Sequence, residues 1–168
     1  KNSIGVTATD GSKSTLTAPT IVINTGSVNE KPSFEVSSNL AFDSTGILNL
    51  KTLPKHLAVV GGGYIGLEFA SMFAEFGSKV TIVARSGVLK NEDEDVKQSV
   101  KTLLQTQGIE ILEGCEVKNL KDSTLNFTQN SEAKSLDADA FLLATGRVAA
   151  TAELNLSAAG VQTGAKGN

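Results

Sequence analysis

Apolar positions along the chain fall into two alternating periods. Leu57-Ala-Val-Val60 is a short continuous apolar run, which predicts a buried strand. Tyr64 to Phe76 places Ile65, Phe69, Met72, Phe73 and Phe76 on one face of a helix. Gly77 follows at the position of a C′ residue, and Lys79–Ala84 is a β-branched second strand. Asn91-Glu-Asp-Glu94 has the arrangement of a capping box with acidic residues in the first turn. Behind it Val96, Val100, Leu103 and Leu104 predict the buried stripe of a second helix. Gly108 ends that helix, 109–112 is a third strand, and 139–145 is the last, closed by Gly146-Arg147.

The flanks are less regular. Residues 1–28 predict a β-hairpin turning at Asp10-Gly11, then a buried-type strand at Thr20–Asn24. Residues 29–42 are polar, contain Pro32 and predict a linker. Asp43-Ser-Thr45 precedes a short capped helix at 47–50, and Pro54 precedes the first central strand. From Cys115 to Leu136 short alternating runs break at Asp122-Ser123 and Gln129-Asn130, which predicts a β-meander in place of a crossover helix. The tail, 148–168, is small, polar and Gly-rich. Alternating strands and helices define an α/β chain: a Rossmann-like parallel sheet, helices on both faces, a β-meander crossover and flanking strands.

The chain has 168 residues, enough for one core domain and hardly two. Its net charge of −3, without a long basic run, argues against nucleic acid or an anionic membrane as main partner. No apolar stretch approaches the roughly 20 residues of a membrane span, and no signal peptide opens the chain. Lys1 begins in an extended polar register, as expected of a piece of a longer protein. Cys115 is the only cysteine and His56 the only histidine, so no zinc cluster or intrachain disulfide is expected. A cytoplasmic location is the default expectation.

The candidate chemistry lies between the first strand and helix. Gly61, Gly63 and Gly66 have G-x-G-x-x-G spacing. Three spaced glycines alone are a weak signal. A buried strand before them, a helix after them, and a polar decision point roughly 20 residues on make it stronger. Gly61 would permit the tight turn, Gly63 the approach of a phosphate to the backbone, and Gly66 close packing of helix on strand. The N–H groups and dipole of the helix would face a pyrophosphate.

Two strands share one ending, TIVINTG at 20–26 and FLLATG at 141–146. With FDSTG at 42–46, VVGGGYIGLEFA at 59–70, FGSKVTIV at 76–83 and LLATGR at 142–147, they cover nearly the whole chain. The set resembles the pyridine nucleotide-disulfide oxidoreductases: glutathione reductase, dihydrolipoamide dehydrogenase, mercuric reductase and their relatives. Residues 59–73 lean toward the mercuric reductase-like branch. In that family an FAD domain is split by an inserted NAD(P)H domain. The resemblance implies that 1–28 ends an FAD-domain segment and 29–52 is a linker with a short helix. It makes 53–147 the NAD(P)H domain and 148–168 the return. The FAD glycine loop, the redox Cys pair and the dimerisation domain would lie outside this chain. FAD is therefore not expected here, no catalytic residue is assigned, and the intact enzyme is expected to be a homodimer.

The resemblance also implies which nucleotide binds. NADH-using relatives carry Glu at the position of Ala84, where it accepts from the ribose 2′-OH. Here that acceptor is missing, Arg85 follows and Lys90 comes five residues later. An Arg can pair bidentately with a 2′-phosphate and a Lys adds point charge. Ser86 could donate a further hydrogen bond. NADPH is expected over NADH.

Other binding residues are expected around the loop. Gly62 and Ile65 lie within it. Tyr64 matches an aromatic gate over the flavin, and Glu68, one turn on, matches a Glu near the nicotinamide amide. Val117 falls near the adenine and Gly146 against the cofactor. Cys115 reads as a semi-buried structural residue. Two other readings compete: a stand-alone dinucleotide sensor, and a domain of a flavoprotein oxidase without a disulfide. A short-chain dehydrogenase fails, because Tyr64, the only tyrosine, is followed four residues later by Glu68 rather than Lys.

Overall fold

The computed structural model describes residues 2–165 and residue 167. They form two compact units, Lys1–Val28 with Val148–Asn168, and Asn29–Arg147.

In the first unit, β1 (Ser3–Thr7) and β2 (Lys13–Thr17) pair antiparallel from Ser3↔Thr17 to Thr7↔Lys13. The turn is the expected one. The Ser12 amide donates to Asp10 Oδ1 at 2.9 Å, and Gly11 takes φ +83°. The strand expected at Thr20–Asn24 does not form, and Val22 is 80% exposed there. A strand needs a ladder partner, and among the described residues none pairs with this segment. The chain is next regular at β3 (Ser27–Asn29).

The second unit starts in the stretch expected to be a linker. That stretch instead supplies β4 (Glu35–Ser37) and β5 (Ala41–Phe42) to two different sheets. The capped helix is a single 3-10 turn, Gly46–Asn49. Asp43 Oδ1 accepts from the Thr45 and Gly46 amides at its start, and Ile47 is buried. Then follow β6 (His56–Val60), α1 (Tyr64–Glu75), β7 (Lys79–Ala84), α2 (Glu94–Thr106) and β8 (Glu110–Glu113). The meander is β9 (Cys115–Lys121), β10 (Thr124–Gln129) and β11 (Glu132–Asp137). Asn130 and Ser131 both take positive φ in its second turn, as a type I′ hairpin requires. β12 (Ala140–Leu143) enters the main sheet between β5 and β6, and the chain then returns to the first unit, where β13 (Arg147–Ala149) pairs with β3.

The main sheet is parallel throughout, in the order β5-β12-β6-β7-β8. Side chains alternate across it. Leu57, Val59, Val80, Ile82 and Leu142 meet Leu67, Ala70 and Phe73 of α1 and Leu104 of α2. Ala58, Val60, Val83 and Phe141 meet Leu120, Leu125 and Phe127 of the second sheet, ordered β11-β10-β9-β4. Both helices therefore cover one face and the meander covers the other. This corrects the expectation of helices on both faces. A strand layer replaces the helix because short alternating runs present apolar side chains every second residue to the parallel sheet. Each large aliphatic side chain fully buried here contributes about 1.5–3 kcal/mol, so the two clusters outweigh any single turn.

The expected helix faces hold in part: Phe69, Met72 and Phe73 of α1 and Val100 and Leu104 of α2 join the first core cluster, and the other expected positions do not. α1 buries Gly66, Leu67, Ala70 and Phe73, while Phe76 is 61% exposed. Its end is a Schellman motif: Gly77 N–H donates to Ala74 at 2.9 Å and Ser78 N–H to Phe73 at 3.0 Å. α2 buries Leu104, leaves Val96 and Leu103 exposed, and turns Lys97 and Lys101 half inward. Its N-cap is Asp93 rather than Asn91, with no capping side-chain bond. Among the described residues no helix is long and apolar enough to cross a membrane.

Candidate nucleotide-binding site

The site lies at the carboxyl ends of β6, β7 and β8, where open parallel sheets bind their ligands. Gly61 ends β6 with φ +125°, and its amide donates to Val83 O at 3.0 Å. A Cβ on Gly61 would lie 2.2 Å from Ala144 O, one on Gly62 2.5 Å from Gly87 O, and one on Gly66 2.5 Å from Gly61 O. Those three glycines are needed by the fold. Gly63 is different. It is the exposed N-cap of α1, with φ −86° and ψ 174°, and nothing lies within 4 Å of a Cβ built there. Neither sterics nor dihedral angle demands glycine at 63, and the space above it is open.

The first-turn amides of a helix lack intrahelical partners, and the dipole makes that end positive. No acidic residue occupies the first turn of α1, and no side chain caps it. An incoming anion therefore meets no competing carboxylate in that turn. The following loop is tied on by Leu89 N–H to Gly62 O at 2.8 Å. Tyr64, 62% exposed, donates its hydroxyl to Glu92 of the same loop. That hydrogen bond raises the phenol pKa above its ordinary value.

Beyond buried Ala84 the chain opens into a cleft of about 430 Å³. The loop lines it with Arg85, Ser86, Gly87, Val88 and Lys90, α2 with Glu94, Lys97 and Lys101, and the end of β8 with Glu113 and Gly114. Four cations against two carboxylates leave the lining at +2. Lys101 Nζ lies 2.7 Å from Glu113 Oε2, and Lys97 Nζ lies 3.5 Å from Glu94 Oε2. Burial works to raise the Glu113 pKa, but the hydrogen bonds from Lys101 and the Val88 amide outweigh it and hold the carboxyl below its usual range. Arg85 also lies near enough to Glu116 to favour ionisation of that carboxyl, after the larger effect of Lys118.

The structure gathers the expected glycine loop, Arg85, Ser86 and Lys90 at one edge. Ile65 is half-buried and Glu68 exposed on α1. Val117 does not line the cleft; it packs half-buried against the second core cluster. Gly146 takes φ +145°, and a Cβ there would lie 2.5 Å from Glu30 Oε2. Sequence reasoning missed Lys97, Lys101 and Glu113. The signal for the two lysines was their i, i+4 spacing on the same helix face as Val100 and Leu104. His56 sits at the opposite end of β6. Its Nε2 lies 3.0 Å from Thr81 Oγ1, which itself donates to Glu110 Oε2. Burial lowers the pKa of this histidine, as suits a structural role.

A glycine turn between parallel strand and helix, with a cationic cleft at the next strand, defines a dinucleotide-binding type of α/β protein. The family model described as pyridine nucleotide-disulphide oxidoreductase matches residues 2–168, and the chain belongs to that family. It is 44% identical over 150 residues to the "Probable pyridine nucleotide-disulfide oxidoreductase RclA" of Escherichia coli strain K12, covering 88% of this chain and 34% of that protein. A dihydrolipoyl dehydrogenase of Geobacillus stearothermophilus is 37% identical over 157 residues, covering 90% and 33%. Among solved structures, the Cu(II) complex of the HOCl-induced flavoprotein disulfide reductase RclA from Escherichia coli matches with a TM-score of 0.87. It is 39% identical, with 99% of this chain and 38% of that one covered. The chain thus spans about a third of the length of these relatives.

Proposed function

We propose that residues 53–147 are the nicotinamide-dinucleotide domain of an FAD-dependent disulfide reductase, and that they take NADPH in preference to NADH. The observation that carries the reading is the pairing of two anion-accepting features along one sheet edge. One is the open first turn of α1, and the other is the +2 cleft that begins directly after Ala84. The residues fit the group. The diphosphate would lie over the amides at 63–66, where Gly63 leaves space. The 2′-phosphate would enter the cleft against Arg85 and Lys90, with the Ser86 hydroxyl as a further donor. A phosphomonoester carries about −1.5 to −2 charges at neutral pH, which the cleft's excess matches. Ala84 offers no carboxylate to hold a ribose hydroxyl or to repel that phosphate.

When bound, the nicotinamide supplies hydride chemistry toward a flavin. The role of this chain is to bind and orient. Tyr64 at the mouth of the loop would cover the flavin side until displaced, Glu68 would meet the nicotinamide amide, and Ile65 and Gly146 would border the cofactor. Val117 would support the adenine end. In the parent, 1–28 and 148–168 would belong to the FAD domain and 29–52 would lead into the inserted domain. The whole protein would be a cytoplasmic homodimer whose reducing equivalents reach a disulfide or related acceptor.

The test is calorimetric titration of the 168-residue chain with each coenzyme. NADPH should bind tighter than NADH by roughly tenfold or more, and Arg85→Ala should remove most of that difference while changing NADH by less than about twofold. Equal affinities, or tighter NADH, would overturn the reading.

A further inference from the structure

Glu113 is an awkward residue for a cleft meant to receive phosphate. It ends β8 directly beside Ala84, in register Ala84↔Glu113, and its carboxylate lines the cleft. The loop is built around it. Oε1 accepts from Val88 N–H at 3.0 Å. Gly87 takes φ +84°, and a Cβ there would come within 2.6 Å of the same oxygen. Removing the carboxylate would therefore loosen the turn between Ser86 and Lys90, two residues that line the cleft. Keeping it places a negative charge where a second one is to bind.

α2 supplies the answer. Lys101 Nζ sits 2.7 Å from Oε2, on the side of the carboxylate away from Val88. Lys97, one turn earlier, is held 3.5 Å from Glu94, whose side chain is 83% exposed. Lys97 is thus paired on its own helix, and the neutralisation of Glu113 falls to Lys101.

We propose that Lys101 is a specificity-determining positioning residue: paired with Glu113, it cancels the charge that would repel a 2′-phosphate while leaving the carboxylate free to shape the Arg85–Lys90 loop. The inference rests on the NADPH reading above and names the residue that makes its phosphate pocket tolerant. Without Lys101, an unpaired carboxylate would face the phosphate in the cleft.

The experiment compares adenosine 2′,5′-bisphosphate with adenosine 5′-monophosphate, which differ only in the phosphate at issue, by calorimetry on the full chain. Lys101→Met should weaken the bisphosphate roughly tenfold and the monophosphate by less than about twofold. Adding Glu113→Gln keeps an acceptor for Val88 N–H but removes the charge, and should restore bisphosphate affinity to within about threefold of the unsubstituted chain. If the unsubstituted chain does not prefer the bisphosphate, the NADPH reading falls and this inference with it. If it does, two results overturn this inference alone. Equal weakening of both ligands would make Lys101 merely structural. Failure of Glu113→Gln to rescue would mean that Lys101 touches the phosphate directly.

Discussion

Gly66→Ala tests how the helix sits on the strand. The new Cβ would be 2.5 Å from Gly61 O, 3.2 Å from Val59 Cγ1 and 3.4 Å from Ala144 Cβ. Real Cβ contacts do not fall below 3.0 Å, so α1 must retreat from β6 by about 0.5 Å or more. The strand side cannot yield, because Gly61 donates to Val83 O and is itself crowded by Ala144 O. Overpacking of this kind costs about 1–3 kcal/mol, and the closest opposing atom, the Gly61 carbonyl oxygen, belongs to backbone that cannot rotate away, which puts the cost in the upper half. Alanine gives back about 1 kcal/mol, being the better helix former. The net loss is about 1–2 kcal/mol, or a fall in Tm of roughly 4–10 °C for a unit of this size. Thermal unfolding followed by far-UV circular dichroism measures it, and urea titration should show a lower midpoint at unchanged slope. An unchanged or higher Tm would refute the packing argument.

Gly63→Ala should behave in the opposite way. The dihedral angles suit alanine and the space is empty, so stability should change by less than about 1 kcal/mol, while NADPH affinity falls roughly tenfold because the methyl occupies the phosphate's approach. Acid should weaken the fold through Asp43 and Glu113. The Asp43 carboxyl is held low chiefly by the Gly46 amide and then Asn29, and Glu113 by Lys101 and Val88 against its burial. Folded values lie below the unfolded references of 3.8 and 4.5, so this stabilisation is complete above those values and is lost as pH falls through the folded ones. Urea midpoints measured from about pH 6 down to about pH 3 should drop, and the drop should be shallower in Asp43→Asn.

The central strand–glycine–helix unit was legible because two periods meet there at residues with no steric alternative. That the strands of the main sheet run parallel followed from the alternation of strands and helices, while their order did not. Helix orientation was legible only in part, since Phe69, Met72 and Phe73 of α1 and Val100 and Leu104 of α2 reach the core but the other expected positions do not. Phe76 reads as core by spacing, yet the Schellman turn at Gly77 carries it into solvent, and Gly66 rather than Ile65 faces the strand. In α2, a hydrophobic count treats lysine as an outward residue, whereas Lys97 and Lys101 lay their aliphatic stems inward and bring their charges to the cleft. Thr20–Asn24 has strand composition but no ladder partner among the described residues, and composition carries no information about a neighbour. The glycine loop and Arg85 could be found from spacing, while Glu113 could not. Its role comes from strand register, which sets it beside Ala84.

The most direct test of the account is a crystal structure of this chain grown with NADPH. The diphosphate is predicted over the amides at 63–66 and the 2′-phosphate between the side chains of Arg85 and Lys90. Nucleotide seated elsewhere, or an adenosine end lying outside the cleft, would contradict it.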